Sequence, residues 1–179
     1  MPVIFQNGRI AQSAAQWLRW ADKIALLLLA LALPAVAEKP TIQLMPFTSA
    51  FVPAEAACGF DVLVTPHAGR PNKERLIQFN NTAIIAGPLF VTLKNLSTGK
   101  TIDVNISGPI RLSFSGTTTT VVSTGPSIQP FPASVLTAAG LPPLPLIHGQ
   151  IVFTVDDQGN VTSVQRVTGT VQDVCQLLQ

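Results

Sequence analysis

The chain has 179 residues, 47% hydrophobic and only 11% charged, with a formal net charge of +2. That apolar content excludes a disordered chain, and so small a charge lacks the Lys and Arg excess that gives nucleic-acid binders most of their affinity. The length fits one domain, or one domain behind a targeting segment.

Residues 1–37 read as an export signal. Arg9, Arg19 and Lys23 outnumber the single acid Asp22, residues 24–33 are continuously apolar, Pro34 breaks the run, and Ala35-Val36-Ala37 offers small residues to signal peptidase. The apolar stretch 24–37 is 14 residues long, short of the ~20 that span a bilayer as a helix. Cleavage is therefore expected before Glu38, leaving no membrane span and a secreted or cell-surface protein. Residues 38–179 then keep 8 basic and 8 acidic side chains and have neither Trp nor Tyr. Both cysteines, Cys58 and Cys175, lie in this exported part, and an even count in an oxidising compartment predicts a disulfide between them. It would tie the first strand of the domain to its last.

Residues 38–57, with Pro40, Pro46 and Pro53, predict an extended proline/alanine-rich arm or linker. Residues 58–179 predict an antiparallel β domain. Phe60, Val62 and Val64 alternate with polar or outward positions; so do Leu89, Val91 and Leu93, then Ile102, Val104 and Ile106. Ile110, Leu112 and Phe114 repeat the pattern, as do Ile151, Phe153 and Val155. A period of two marks strands with one buried face. Ser97-Thr98-Gly99-Lys100 and residues 156–160 carry the glycines of hairpin turns. The count is about nine strands from 58 to 175, in a single all-β barrel or sandwich.

Residues 126–148 depart from this pattern, with six prolines among apolar residues. Residues 133–139 predict a short helix stopped by Gly140. So long a connection serves as a cover or has a function of its own. Phe131, Val135, Leu136 and Leu141 are expected to face inward, either as a plug in the core or as a lid over a small apolar ligand.

Cys58-Gly-Phe-Asp-Val, Leu96-Ser-Thr-Gly-Lys, Asn105-Ile-Ser-Gly-Pro and Gly169-Thr-Val-Gln-Asp-Val-Cys175 together resemble a group of uncharacterised exported all-β proteins of actinobacterial type. The resemblance covers about residues 58–179. It implies a shared β-fold with paired terminal cysteines and no known activity, so no functional residue is carried over.

Catalytic and metal-binding patterns are sparse. Thr98-Gly99-Lys100-Thr101 ends like a phosphate-binding loop, but Lys94 stands where the first glycine belongs and a strand follows instead of a helix. Asp156, Asp157 and Asn160 crowd oxygen atoms into one turn, too few for the six to eight that calcium takes. His67 and His148, the only two histidines, make a poor zinc set without a third ligand. A spatial Ser-His-Asp arrangement stays open, although no Gly-x-Ser-x-Gly elbow occurs. Without Trp or Tyr the exported part lacks stacking platforms for sugars or bases and the aromatic girdles of an outer-membrane barrel. Asn80, Asn95, Asn105 and Asn160 sit in Asn-x-Ser/Thr sequons, which a eukaryotic secretory pathway could glycosylate.

The expectation is an exported, non-catalytic structural or interaction module with no cofactor, meeting a partner at the cell surface or outside the cell. The alternative is a β-barrel holding a small apolar ligand or lipid, and the third reading is a hydrolase that uses one histidine.

Overall fold

The computed structural model describes residues 39–70 and 72–179; the expected export signal lies outside them. Among the described residues, eleven strands form two antiparallel sheets. The larger runs β1 (Thr41–Met45), β4 (Glu74–Gln78), β5 (Thr82–Ala86), β8 (Ile110–Ser115), β9 (Thr118–Ile128), β10 (Pro145–Val155), β11 (Val161–Asp173). The smaller runs β2 (Ala50–Val52), β3 (Val62–Pro66), β6 (Phe90–Asn95), β7 (Thr101–Asn105). The fold is all-β and sandwich-like; neither sheet closes into a barrel. The nine strands expected between 58 and 175 are β3 to β11.

The other two strands correct the reading of residues 38–57 as an arm. The segment is extended, but it is hydrogen-bonded into the fold, β1 along β4 and β2 along β3. An open sheet edge leaves backbone N–H and C=O groups without partners; this segment pairs with β4 and β3 and becomes an edge strand of each sheet itself.

Two cores lie on opposite faces of the large sheet. In β10, Leu146 belongs to one core, with Val62, Val64, Val91 and Leu93 of the small sheet. Ile147, Ile151 and Phe153, one residue out of phase, belong to the other, with Phe131 and Leu136. Alternation along a strand sends neighbouring side chains to opposite faces, so a single strand serves both. The layers are therefore small sheet, large sheet and the connection 129–144, which contains helix α1 (Ala133–Ala138). Residues 38–179 form a compact unit that holds the two cores and both cysteines.

Gly125, Gly149 and Gly169 stand abreast across β9, β10 and β11. Gly125 and Gly169 have φ of 88° and 92°, which side chains other than glycine rarely adopt. A Cβ on Gly149 would lie 2.0 Å from the Thr168 carbonyl oxygen, and one on Gly169 would lie 2.2 Å from that of His148. The proline-rich segment is shorter than expected, because β9 runs through Gly125-Pro126 to Ile128 and β10 already begins at Pro145. Pro145 opens its strand, where a missing N–H costs no ladder bond. Pro126 lies past the start of β8, where its carbonyl accepts from Gly108 N at 3.2 Å.

Cys58 and Cys175 are bonded. The bond does not join the first strand to the last, as expected; it joins the turn before β3 to the terminal helix α2 (Val174–Leu177). Val174 and Leu178 are fully buried in the first core.

Candidate functional site

The expected cover residues divide by depth. Phe131 (5% exposed) and Leu136 are buried in the second core, and the Phe131 ring meets Phe153 edge-on at 4.8 Å. Val135 and Leu141 are half-buried at its margin. The hollow beside this segment, about 260 Å³, opens on its outer flank between α1 and β11, not beneath Phe131. Phe131 and Leu136 thus fill space as core side chains do. Phe131→Ala is expected to cost about 3–5 kcal/mol, the usual range for a buried phenylalanine; urea melts measure it. A loss under ~1 kcal/mol would identify a lid instead.

Polar chemistry gathers elsewhere, around β7. This strand is one of the two edges of the small sheet, β2 being the other. Ile106 N donates to Leu89 O and Asn95 N to Lys100 O, so the ladder bonds within the register fall at Val91/Val104 and Leu93/Ile102. Antiparallel strands alternate bonded and non-bonded pairs. Thr101, Asp103 and Asn105 therefore turn their backbone N–H and C=O toward the open edge.

A hollow lies on each side of this strand. The outer one, about 320 Å³, is lined by His67, Arg70, Phe90, Asp103, Val104 and Asn105. The inner one, about 420 Å³, is the cleft between the sheets, where Ile102, Val104, Leu146 and Leu177 supply aliphatic walls and His148 and Gln172 polar ones. Both histidines of the chain thus flank β7, although 81 positions separate them in sequence. His148 is exposed on β10.

In the outer hollow Thr92 Oγ1 donates to Asp103 Oδ1 at 2.6 Å, and His67 Nδ1 lies 3.1 Å from the same oxygen and 3.2 Å from Thr92 Oγ1. The strand register creates the cluster: Thr92 faces Asp103 across the β6–β7 ladder, and His67 follows β3 with its N–H on Phe90 O. The Arg70 guanidinium lies over the Phe90 ring, 5.0 Å from its centre, an attraction of the cation to the ring's negative face. The arrangement differs from a catalytic triad, in which the nucleophile and the acid occupy opposite nitrogens of the imidazole. Here Thr92 and Asp103 share the Nδ1 side, and the threonine proton points to the carboxylate. A His67 that donates from Nδ1 to Asp103 offers its Nε2 lone pair outward, as an acceptor for a ligand's N–H or O–H.

The Thr92 hydroxyl, with His67 beside it, holds the Asp103 carboxyl below the ordinary carboxylate range. The ionised form therefore favours the fold. That contribution is complete above the unfolded value of about 3.9 and is lost as pH falls through the lower folded value. The Asp103 resonance is expected to titrate below pH 3.9 in wild type and to move toward that value (about 3.9) in Thr92→Val, as followed by carboxyl NMR. An unmoved midpoint in the variant would remove the hydroxyl as the cause.

The remaining sequence candidates have structural roles. Asp156 accepts from Gln158 N, Asn160 N and Asn160 Nδ2, holding its hairpin turn, and these bonds lower its pKa. Thr98-Gly99-Lys100-Thr101 is the β6–β7 turn, with Gly99 at φ 78°. The Asn95 sequon is closed to modification, because the side chain is buried, donating to Leu178 O and accepting from Ser97 and Thr98 N. Among the described residues no group of three or more His, Cys, Asp or Glu converges as a metal site, and no helix is long and apolar enough to cross a membrane.

The Thr92–Asp103 pairing was beyond sequence reading, since it needs the β6–β7 register. Compared with known proteins, the chain matches no family model, no curated protein and no solved structure.

Proposed function

We propose that the protein is exported by cleavage before Glu38 and acts at the cell surface or outside the cell as a non-catalytic interaction module. It takes an extended segment of a partner protein along β7. The observation that carries this reading is the unpaired β7 edge with a hollow on each side. A strand added to an edge gains affinity from main-chain hydrogen bonds and specificity from pockets for alternate side chains. One set of partner side chains would enter the aliphatic cleft, and the other would meet His67, Arg70 and Asp103. The Cys58–Cys175 bond suits an oxidising compartment.

Random linear peptides displayed on phage, selected against residues 38–179, test the reading. Thr101→Pro and Asn105→Pro remove N–H groups that face the open edge and leave the ladder to β6 in place, as proline is tolerated on edge strands. Selected peptides are expected to bind these variants at least tenfold more weakly. Failure to select any peptide, or equal binding to the variants, rejects the proposal. A small apolar ligand remains the second reading, favoured by the aliphatic walls and size of the inner cleft. Native mass spectrometry of protein from a secreting host separates the two, since a retained small molecule appears as added mass. The same spectrum measures the cleavage site.

A further inference from the structure

The charged side chains within the large sheet's strands are sorted by face. Cross-strand partners project to the same side. Ile42 on β1 pairs with Ile77, Ile77 with Ile84, and Ile84 with Arg111. Arg111 continues the row to Val122, Val152 and Arg166. Leu44 and Arg75 form the neighbouring pair on the same side. All three arginines of the sheet thus share one face, and His148, four residues before Val152, shares it too. The sheet's strands hold two acids. Glu74 is one residue from Arg75, and Asp173 pairs with Pro145, in phase with Ile147 and Ile151; both register on the opposite face.

This face is open where the arginines stand. Arg75, Arg111 and Arg166 are exposed, and among the described residues none of them is ion-paired. Ile42 is 59% exposed and Leu44 72%, while Ile77, Ile84, Val122 and Val152 are half-buried between them. At ~4.8 Å per strand, the basic patch extends about 24 Å from β4 to β11. It interleaves cations with aliphatic side chains and contains no acid and no aromatic ring.

We propose that this face docks the protein on the surface of an anionic lipid bilayer. Arginines meet the lipid phosphates, and Ile42 and Leu44, at the sheet's edge, enter the boundary between headgroups and acyl chains. Surface-bound proteins combine these two contributions. The separation of charge leaves one face of a nearly neutral domain attractive to anions, and Debye screening limits that attraction to contact range. A polyanion that lacked an apolar layer would use the arginines and leave the aliphatic side chains idle, whereas a bilayer uses both. The docking does not rest on the peptide reading, since neither the three arginines nor Ile42 and Leu44 line a hollow beside β7, although His148, on the same face, does line the inner cleft.

Residues 38–179 are mixed with vesicles of phosphatidylcholine alone, or of phosphatidylcholine with one-quarter phosphatidylglycerol, and sedimented. Binding is expected only to the anionic vesicles, and to fall as salt rises. Each basic residue near such a surface contributes about fivefold in affinity, so Arg75→Gln, Arg111→Gln and Arg166→Gln together are expected to weaken binding about a hundredfold. Ile42→Ser with Leu44→Ser keeps the charge and is also expected to weaken it. These side chains are exposed, and an unchanged melting temperature shows that each variant is folded. No sedimentation with anionic vesicles overturns the proposal, as does binding indifferent to the arginine variants. Binding that survives Ile42→Ser/Leu44→Ser and is matched by soluble polyglutamate overturns it in favour of a simple anion-exchange face.

Discussion

Removing the Cys58–Cys175 bond, by alanine at both positions or by reduction, is expected to lower stability by about 4–5 kcal/mol. The bond closes a loop with a sequence separation of 117, and the chain-entropy account gives that magnitude for so long a loop. For a domain of this size it corresponds to a fall of roughly 10–20 °C in melting temperature. The location adds to the effect. Cys175 sits in α2 beside Val174, and both pack in the first core with Leu178, whose carbonyl accepts from Asn95 Nδ2. Without the bond, the end of the chain is held by that packing, that hydrogen bond and the donation of Val174 N to Leu144 O. Calorimetry of the oxidised, reduced and Cys58→Ala/Cys175→Ala proteins measures the difference. A loss of less than ~1 kcal/mol would show that the core alone fixes the terminus.

Gly149→Ala is expected to cost about 3 kcal/mol or more. The added Cβ would lie 2.0 Å from Thr168 O and 2.9 Å from the Gly169 Cα, both backbone atoms of the neighbouring strand. Because neither can rotate away, β10 and β11 must separate at their closest approach. Overpacking of this kind costs about 1–3 kcal/mol where side chains can move, and a rigid backbone puts this case at or above the upper end. Gly99→Ala is the control. Its Cβ would meet nothing within 4 Å, and only the left-handed backbone at φ 78° opposes it, at about 1–2 kcal/mol. The two variants compared by denaturant melts separate crowding from backbone strain. A Gly149→Ala loss no larger than that of Gly99→Ala would show that the two strands yield to the added Cβ, since Gly149 has no positive φ of its own.

What could be read from the sequence follows from the short range of the signals. Alternation marks strands because each residue's face depends only on its neighbours, so β3, β6, β7 and β8 were legible within a residue or two. The helix at Ala133–Ala138 and its stop at Gly140, with φ 63°, were legible for the same reason. The strand at Thr41–Met45 was missed although Thr-Ile-Gln-Leu-Met alternates between Pro40 and Pro46, because the proline content of the whole segment outweighed its local pattern. Pro126 and Pro145 misled in the same way, as proline is compatible with a strand's first residue or a position past its neighbour's end.

Strand content, the paired cysteines and the scarcity of catalytic motifs were determined by the sequence alone, through local pattern and composition. Tertiary structure decided everything that depends on register. It sent Leu146 and Ile147 to different cores, set Thr92 opposite Asp103 with His67 beside them, and placed all three sheet arginines on one face. A shift of one residue in pairing would have reversed each of these outcomes, since side chains alternate with a period of two. Register is set by the packing of both cores and by the close backbone approach along the line of Gly125, Gly149 and Gly169, and these form only when the chain has folded.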